Sequence, residues 1–241
     1  MRKLIMLIVI VIVLLSVSGI EKTEAKSNPN ANSHVVYYIP HQDDEALTFG
    51  VSILNHVKKG HNVHIVLLTD GAASVVRNKL GMSEKDFTAA RNKEFALSLK
   101  NMGVKTSNIE YMNYKDSQLT VANVEEVIKT YETKYPNARH NVFSWTDKDN
   151  HDHTNSGKAL KNLQNKKIVS DARYYVRRGD NPKGLKLVNE YYAISYKKPL
   201  LAVSSAYKIE NKKDGLYGIG HKSVKKSFVA FEKQPISRYH K

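Results

Sequence analysis

The sequence predicts an α/β fold, with a mostly parallel sheet between two layers of helices. Three observations point there. Strand-like and helix-like periods alternate from Val35 to Leu163. The links are short, which makes successive strands parallel and their crossovers right-handed. No linker or internal repeat divides the 241 residues, a length that suits one domain with a sizeable core. The expected architecture is a Rossmann-like three-layer sandwich over residues 34–241, with extra strands from the C-terminal part.

Each element follows from its own pattern. Val35 to Ile39 is β-branched and aromatic and predicts a buried strand. Asp44 to Lys59 predicts a helix, ended by a cation and a glycine, Lys59-Gly60. His61 to Leu68 predicts a second strand, followed by the turn Thr69-Asp70-Gly71. Ala72 to Lys85 is irregular and is expected as a loop over the site. Ser83 or Asp86 is placed to cap a helix over Phe87 to Met102, which Gly103 ends. Ile109 to Met112 predicts a short strand, and Tyr114-Lys115-Asp116 opens a loop. Val121 to Tyr135 predicts a helix, with Val124, Val127, Ile128 and Tyr131 on one face. Asn141 to Trp145 predicts a strand, and Thr154 to Leu163 a helix capped by Thr154 or Asn155.

The pattern changes after Lys167. Ala172 to Val176, Glu190 to Tyr196 and Leu200 to Val203 are strand-like and Tyr-rich, with helical spacing over part of Leu201 to Lys208. This tail is expected at the sheet edge, completing one wall of a cleft. Tyr217 to Lys222 is expected as a loop beside the site.

Composition sets the address and excludes some chemistry. The basic start Met1-Arg2-Lys3, the apolar run Leu4 to Ile20 and the small-x-Ala exit at Thr23-Glu24-Ala25 form the pattern of a signal peptide over residues 1–25. The run is short for a span of roughly 20 residues. A secreted or wall-associated protein without stable membrane insertion is therefore expected, with a retained N-terminal anchor as the alternative. Residues 26–33 are a polar lead-in. With no cysteine there is no disulfide, thiolate nucleophile or Cys-bound zinc. The net charge of +15 suits a polyanionic neighbourhood. No nucleic-acid recognition module or basic-aromatic groove is visible, so an anionic cell-wall polymer is the expected partner.

Two clusters carry chemistry. His41-Gln42-Asp43-Asp44-Glu45 follows the first predicted strand, and Asn150-His151-Asp152-His153 follows the strand about a hundred residues on. Ligands of open α/β sheets bind beyond the carboxyl ends of the strands. Two histidines and one carboxylate brought together there leave a tetrahedral zinc with one open position. A metal lowers the pKa of bound water toward about 7, and a nearby carboxylate can take the proton. Adjacent aspartates in a turn point in different directions, so one can ligate while the other faces the water. Spacing alone does not say which does which.

The first cluster closely resembles the (P/A)HPDDE motif of the PIG-L, or LmbE-like, family of zinc-dependent N-deacetylases, and the second resembles that family's HxDH motif. Thr69-Asp70-Gly71, Arg91-Asn92-Lys93-Glu94 and Tyr114-Lys115-Asp116 resemble further family segments in the expected order. The resemblance implies that His41, Asp44 and His153 ligate one zinc per chain, and that Asp43 is the general base. It implies that Asp152 supports the later cluster, and that Arg91 and Asp116 lie near the sugar. The implied reaction is hydrolysis of an N-acetyl amide on an N-acetylglucosamine-type sugar or glycoconjugate. His and carboxylate donors also suit other divalent ions.

Two positions depart from the family pattern. Gln42 stands in place of Pro, and Asn150 in place of the first His of HxDH. Asn cannot transfer a proton, so Asp43 or a displaced His151 is expected to serve the amine. Asn150 also motivates an alternative, a catalytically impaired sugar- or wall-polymer-binding protein on the same fold. A two-metal phosphoesterase is disfavoured by the single strong carboxylate cluster.

Overall fold

The computed structural model describes residues 33–241. The expected signal peptide (1–25) and all but the last residue of the lead-in lie outside the described residues. Among the described residues, no helix is long and apolar enough to cross a membrane.

The chain begins with β1 (His34–Ile39), α1 (Asp44–Leu47), α2 (Gly50–Lys58), β2 (Asn62–Thr69), α3 (Val75–Leu80), α4 (Glu84–Met102) and β3 (Ile109–Tyr114). It continues with α5 (Val121–Lys134), β4 (Arg139–Phe143), α6 (His151–Asn165), β5 (Asp171–Tyr175) and β6 (Val188–Glu190). It closes with α7 (Lys197–Ala206), β7 (Glu210–Asn211), β8 (Leu216–Tyr217), α8 (Ile219–Lys233) and β9 (Ser237–His240). The main sheet runs β3-β2-β1-β4-β5-β9-β6. The pairs from β3 to β5 are parallel, and β9 is antiparallel to both β5 and β6. The predicted mostly parallel sheet with a C-terminal extension is thus the observed one.

Both faces of the sheet are covered. In β1, Val35, Tyr37 and Ile39 pack with residues of α2, α4, α7 and α8, while Val36 and Tyr38 pack with residues of α5 and α6. This is why β1 reads as an unbroken apolar run rather than an alternating one. From β1 the chain steps outward through β2 to β3 and then returns to β4 on the other side. The topological switch point therefore lies at the carboxyl ends of β1 and β4, where such sheets bind ligands.

Local packing changed several expected boundaries. The helix predicted over Asp44–Lys59 breaks at Thr48–Phe49, where the carbonyl of Asp44 accepts from both backbone N–H groups. The break turns Phe49 into an aromatic cluster with Tyr37, Phe143 and Tyr175. The loop expected over 72–85 contains α3, capped by Ser74 and ended by Gly81. Its β-branched start and one buried residue leave no helical period to read. β4 lies two residues earlier than expected, and α6 starts at His151 rather than Thr154, with Asn150 as its cap.

The tail differs most. The strand expected over Glu190–Tyr196 stops at Glu190, and Leu200–Val203 lies inside α7. Pro199 is tolerated there because it sits in the first helical turn. The loop expected over Tyr217–Lys222 is the end of β8 and the start of α8.

Candidate metal centre

After β1, Pro40 and His41 lead into a turn in which Asp43 is left-handed, at φ 107° and ψ −27°. Such a torsion costs a non-glycine residue about 1–3 kcal/mol, and the surroundings hold it. The Asp43 N–H donates to Glu45 Oε2 at 3.0 Å, and Glu45 Oε1 accepts from Tyr207 at the end of α7 at 2.6 Å. Arg91 braces the same turn from α4. It donates to the carbonyls of Gly71 and Gln42 and meets Asp43 Oδ2 at 3.3 Å. Gly71 has φ +64°, and a Cβ there would fall 2.0 Å from Gln42 Oε1. Glycine is therefore required where β2 hands over to the turn.

The second cluster arrives on α6. Asn150 Oδ1 accepts the backbone N–H groups of Asp152 and His153, which caps the helix. Gly157 lets α6 lie against the end of β4, since a Cβ there would meet the Trp145 nitrogen at 2.3 Å and the Phe143 oxygen at 2.6 Å. The Phe143 ring stacks on His153 with centroids 3.8 Å apart.

Three donor atoms from the two clusters converge. His41 Nδ1 lies 3.2 Å from Asp44 Oδ2 and 3.3 Å from His153 Nε2, and the last two atoms are 3.1 Å apart. Donors bound tetrahedrally to zinc at 2.0–2.2 Å are separated by about 3.3–3.6 Å, close to these spacings. The proton inventory agrees. His41 directs its other nitrogen, Nε2, at carboxylates of Asp152 (3.2 Å) and Asp116 (3.3 Å), and His153 directs Nδ1 at Asp147 (2.9 Å). With a metal bound, each ring would donate one N–H outward to these carboxylates and offer a lone pair inward, an arrangement that orients metal-bound histidines. This buried group can hold a divalent ion. The same nitrogen and Asp116 and Asp152 form a second acidic group. There, however, Asp152 already accepts from the backbone of Ser117 and Leu119 and meets His151 at 2.9 Å. Its oxygens are committed to positioning.

Electrostatics separates the two adjacent aspartates. Burial pushes the Asp43 pKa up to about 7 against the pull of Arg91. Asp44 is buried too, but the His153 and His41 imidazoles outweigh burial and hold it far below the carboxylate range. For His41, burial opposes the charge, yet Asp116, Asp152 and Asp44 hold its pKa well above normal.

The model of the GlcNAc-PI de-N-acetylase family, PIG-L, matches residues 36–163, just over half of the chain. The chain belongs to the PIG-L family. Solved structures agree on the fold of this PIG-L protein. The zinc-inhibited form of a teicoplanin deacetylase is 16% identical, covers 80% of this chain and 94% of its own, and has a TM-score of 0.58. An N,N'-diacetylchitobiose deacetylase from Pyrococcus horikoshii is 18% identical, covering 89% and 84% at a TM-score of 0.58. A 4-carboxy-2-hydroxymuconate hydratase from Pseudomonas putida is 14% identical, covering 86% and 94% at a TM-score of 0.59. The fold thus hosts more than one reaction. No curated protein matches the chain.

The PIG-L site opens into a cavity of about 690 Å³. His41, Asp43, Asp44, Arg91, Asp116, Asn150 and His153 all line it. Asp152 lies outside the lining, buried behind His41, and His151 is exposed on the first turn of α6. Arg91 and Glu94 are both buried. Glu94 accepts the backbone N–H groups of Tyr217, Ile219 and Gly220, which ties α8 to α4. Sequence reasoning missed Asp147 and Arg177; it expected the tail to wall the cleft but did not read that wall as the helix α8. Arg177 Nε lies 3.0 Å from Asp147 Oδ2, so the loop after β5 steadies the carboxylate that orients His153. The only signal for Asp147 was its place just after a predicted strand.

Proposed function

We propose that this PIG-L protein is a metal-dependent hydrolase that removes the acetyl group from an N-acetylglucosamine-type sugar or glycoconjugate. The observation that supports it best is the convergence of His41, Asp44 and His153 beside a carboxylate, Asp43, that points into the same cavity. His41, Asp44 and His153 would hold one zinc, which when bound would polarise the amide carbonyl and lower the pKa of water toward about 7. Asp43 takes the water proton, held in place by Arg91 and by its backbone bond to Glu45. It then returns that proton to the leaving nitrogen, since Asn150 cannot supply one. Arg91 and Asp116 contact the sugar. Asp152 acts through His41 and is met from the exposed side by His151.

The test is acetate release from a panel of N-acetylated sugars and wall fragments, with and without a chelator, together with metal content. The expected result is one zinc per chain and chelator-sensitive acetate release. Stoichiometric zinc with no acetate from any sugar would overturn the hydrolase reading. It would favour a binding protein, the reading that Asn150 supports by spending its carbonyl on the helix cap. Export is part of the proposal. The protein in culture medium should have the mass expected after loss of about 25 residues. Its release from isolated walls should depend steeply on salt.

A further inference from the structure

The cations lining the cavity are of two kinds. Arg91 meets Asp43, and Arg177 meets Asp147, Asp149 and Asp180. Arg178 and Lys226 line the same cavity, and among the described residues neither has a carboxylate partner. Arg178 donates one hydrogen bond, to the carbonyl of Gln234 at the end of α8. Its neighbour Arg238 donates to the carbonyls of Arg177 and Asp180, and the buried Nε of Arg238 has no partner. Burial, and then the charge of Arg238, lower the Arg178 pKa.

Two guanidiniums that sense each other, with only neutral carbonyls bound, are an unanswered charge. Carbonyls satisfy hydrogen-bond directions but do not neutralise. The guanidinium fork matches the oxygens of carboxylate and phosphate. Arg178 lies just past β5, at the carboxyl end of a parallel strand. Lys226 lines the cavity from α8, its side chain without a hydrogen bond among the described residues, and the +15 chain adds a field of the same sign.

We propose that Arg178 and Lys226 form a subsite for an oxyanion, phosphate or carboxylate, carried by the substrate away from its acetamido group. The acetylated sugar taken by this cavity is then an anionic one. This rests on the hydrolase reading above and narrows its substrate class. The competing role for Arg178 is structural, as a cation at the carboxyl end of α8. That role governs stability and not selectivity.

The test uses the full chain loaded with zinc. Acetate release is compared for N-acetylglucosamine 1-phosphate, N-acetylmuramic acid and neutral N,N'-diacetylchitobiose. The binding of glucose 1-phosphate, which has no acetamido group, is followed by calorimetry. The expected kcat/KM favours at least one anionic sugar over the neutral one by about tenfold or more, the scale of a charge-assisted hydrogen bond. Whichever anionic sugar is preferred names the oxyanion. Arg178→Gln should cut that ratio, and the affinity for glucose 1-phosphate, by about tenfold. Lys226→Gln should cut both by a smaller factor. Lys198→Gln, at an exposed position of α7, should change neither. If no sugar releases acetate yet glucose 1-phosphate binds through Arg178, the hydrolase reading fails and the subsite stands. Equal turnover of neutral and anionic sugars, with ratio and affinity unmoved by Arg178→Gln, overturns the subsite while hydrolysis stands. A loss of thermal stability alone in Arg178→Gln overturns it as well.

Discussion

At Asp43 the backbone turns left-handed, and that single torsion gives two neighbouring carboxylates different surroundings. Asp44 faces two imidazoles, whereas Asp43 faces Arg91 and the cavity. Replacing either should therefore fail differently. Asp44→Asn and His153→Ala are expected to lose zinc, measured as metal per chain after dialysis. Asp43→Ala should keep the metal and lose acetate release by about 10²–10⁴-fold, the usual weight of a general base. An Asp43→Ala protein as active as the parent would refute the assignment. Asn150 allows a second comparison. Asn150→His removes the amide that caps α6, which should cost about 1 kcal/mol in unfolding free energy. It also restores an ionisable group at the family's position. If proton delivery limits the rate, acetate release should rise in the variant while its melting temperature falls. Of the converging ligands, each was legible because it stood in a short motif next to a strand end. Asp147 was not, because nothing local marks a carboxylate whose role is to hold a ring six residues later.

At the scale of elements, α6 is placed by what it lacks. Gly157→Ala would drive a methyl group into the backbone of Phe143 and Trp145. The expected loss is roughly 1–3 kcal/mol in chemical denaturation. Zinc affinity should weaken as well, because His153 rides on the displaced helix. Unchanged zinc affinity in a destabilised variant would show that the helix yields without moving its first turn. Helices with a clean apolar stripe, such as α5, were readable to within a residue of their ends. Those shaped by tertiary contacts were not. The α1–α2 break exists because Phe49 packs inward against Tyr37, Phe143 and Tyr175, partners whose spatial proximity the local period does not reveal. The tail misled for the opposite reason. Leu200 and Val203 suit a strand by composition, yet they form the buried stripe of α7.

For the whole molecule, two histidines remote from the cavity weaken the fold in acid. Burial, and then Arg139, lower the His56 pKa to about 3, and burial, and then His34, lower that of His64 to about 4. In the unfolded chain both titrate near 6.5. Above that value they are neutral in both states and contribute nothing to the balance. Below it the unfolded chain binds protons that the native state refuses, so stability falls as pH falls. For His56 the loss approaches about 1.4 kcal/mol per pH unit until its native pKa is reached. Melting temperature should therefore drop between pH 7 and pH 4, and His56→Gln should flatten that slope. The fold class and the order of layers were legible at this scale, since alternation and short links leave few topologies. Charge balance inside the cavity was not, because Arg178 and Arg238 are distant in sequence and come under each other's influence only through the pairing of β5 with β9.

The matched family segment ends at residue 163, whereas Arg177, Arg178 and the α8 wall all come later. On the proposed reading, catalytic machinery and selectivity filter are written in consecutive stretches of one polypeptide. A chimera that keeps residues up to the end of α6 and borrows its final third from another member of the fold should inherit the donor's taste in sugars. To survive the graft, it must retain the anchors that Glu45 and Glu94 extend to that final third.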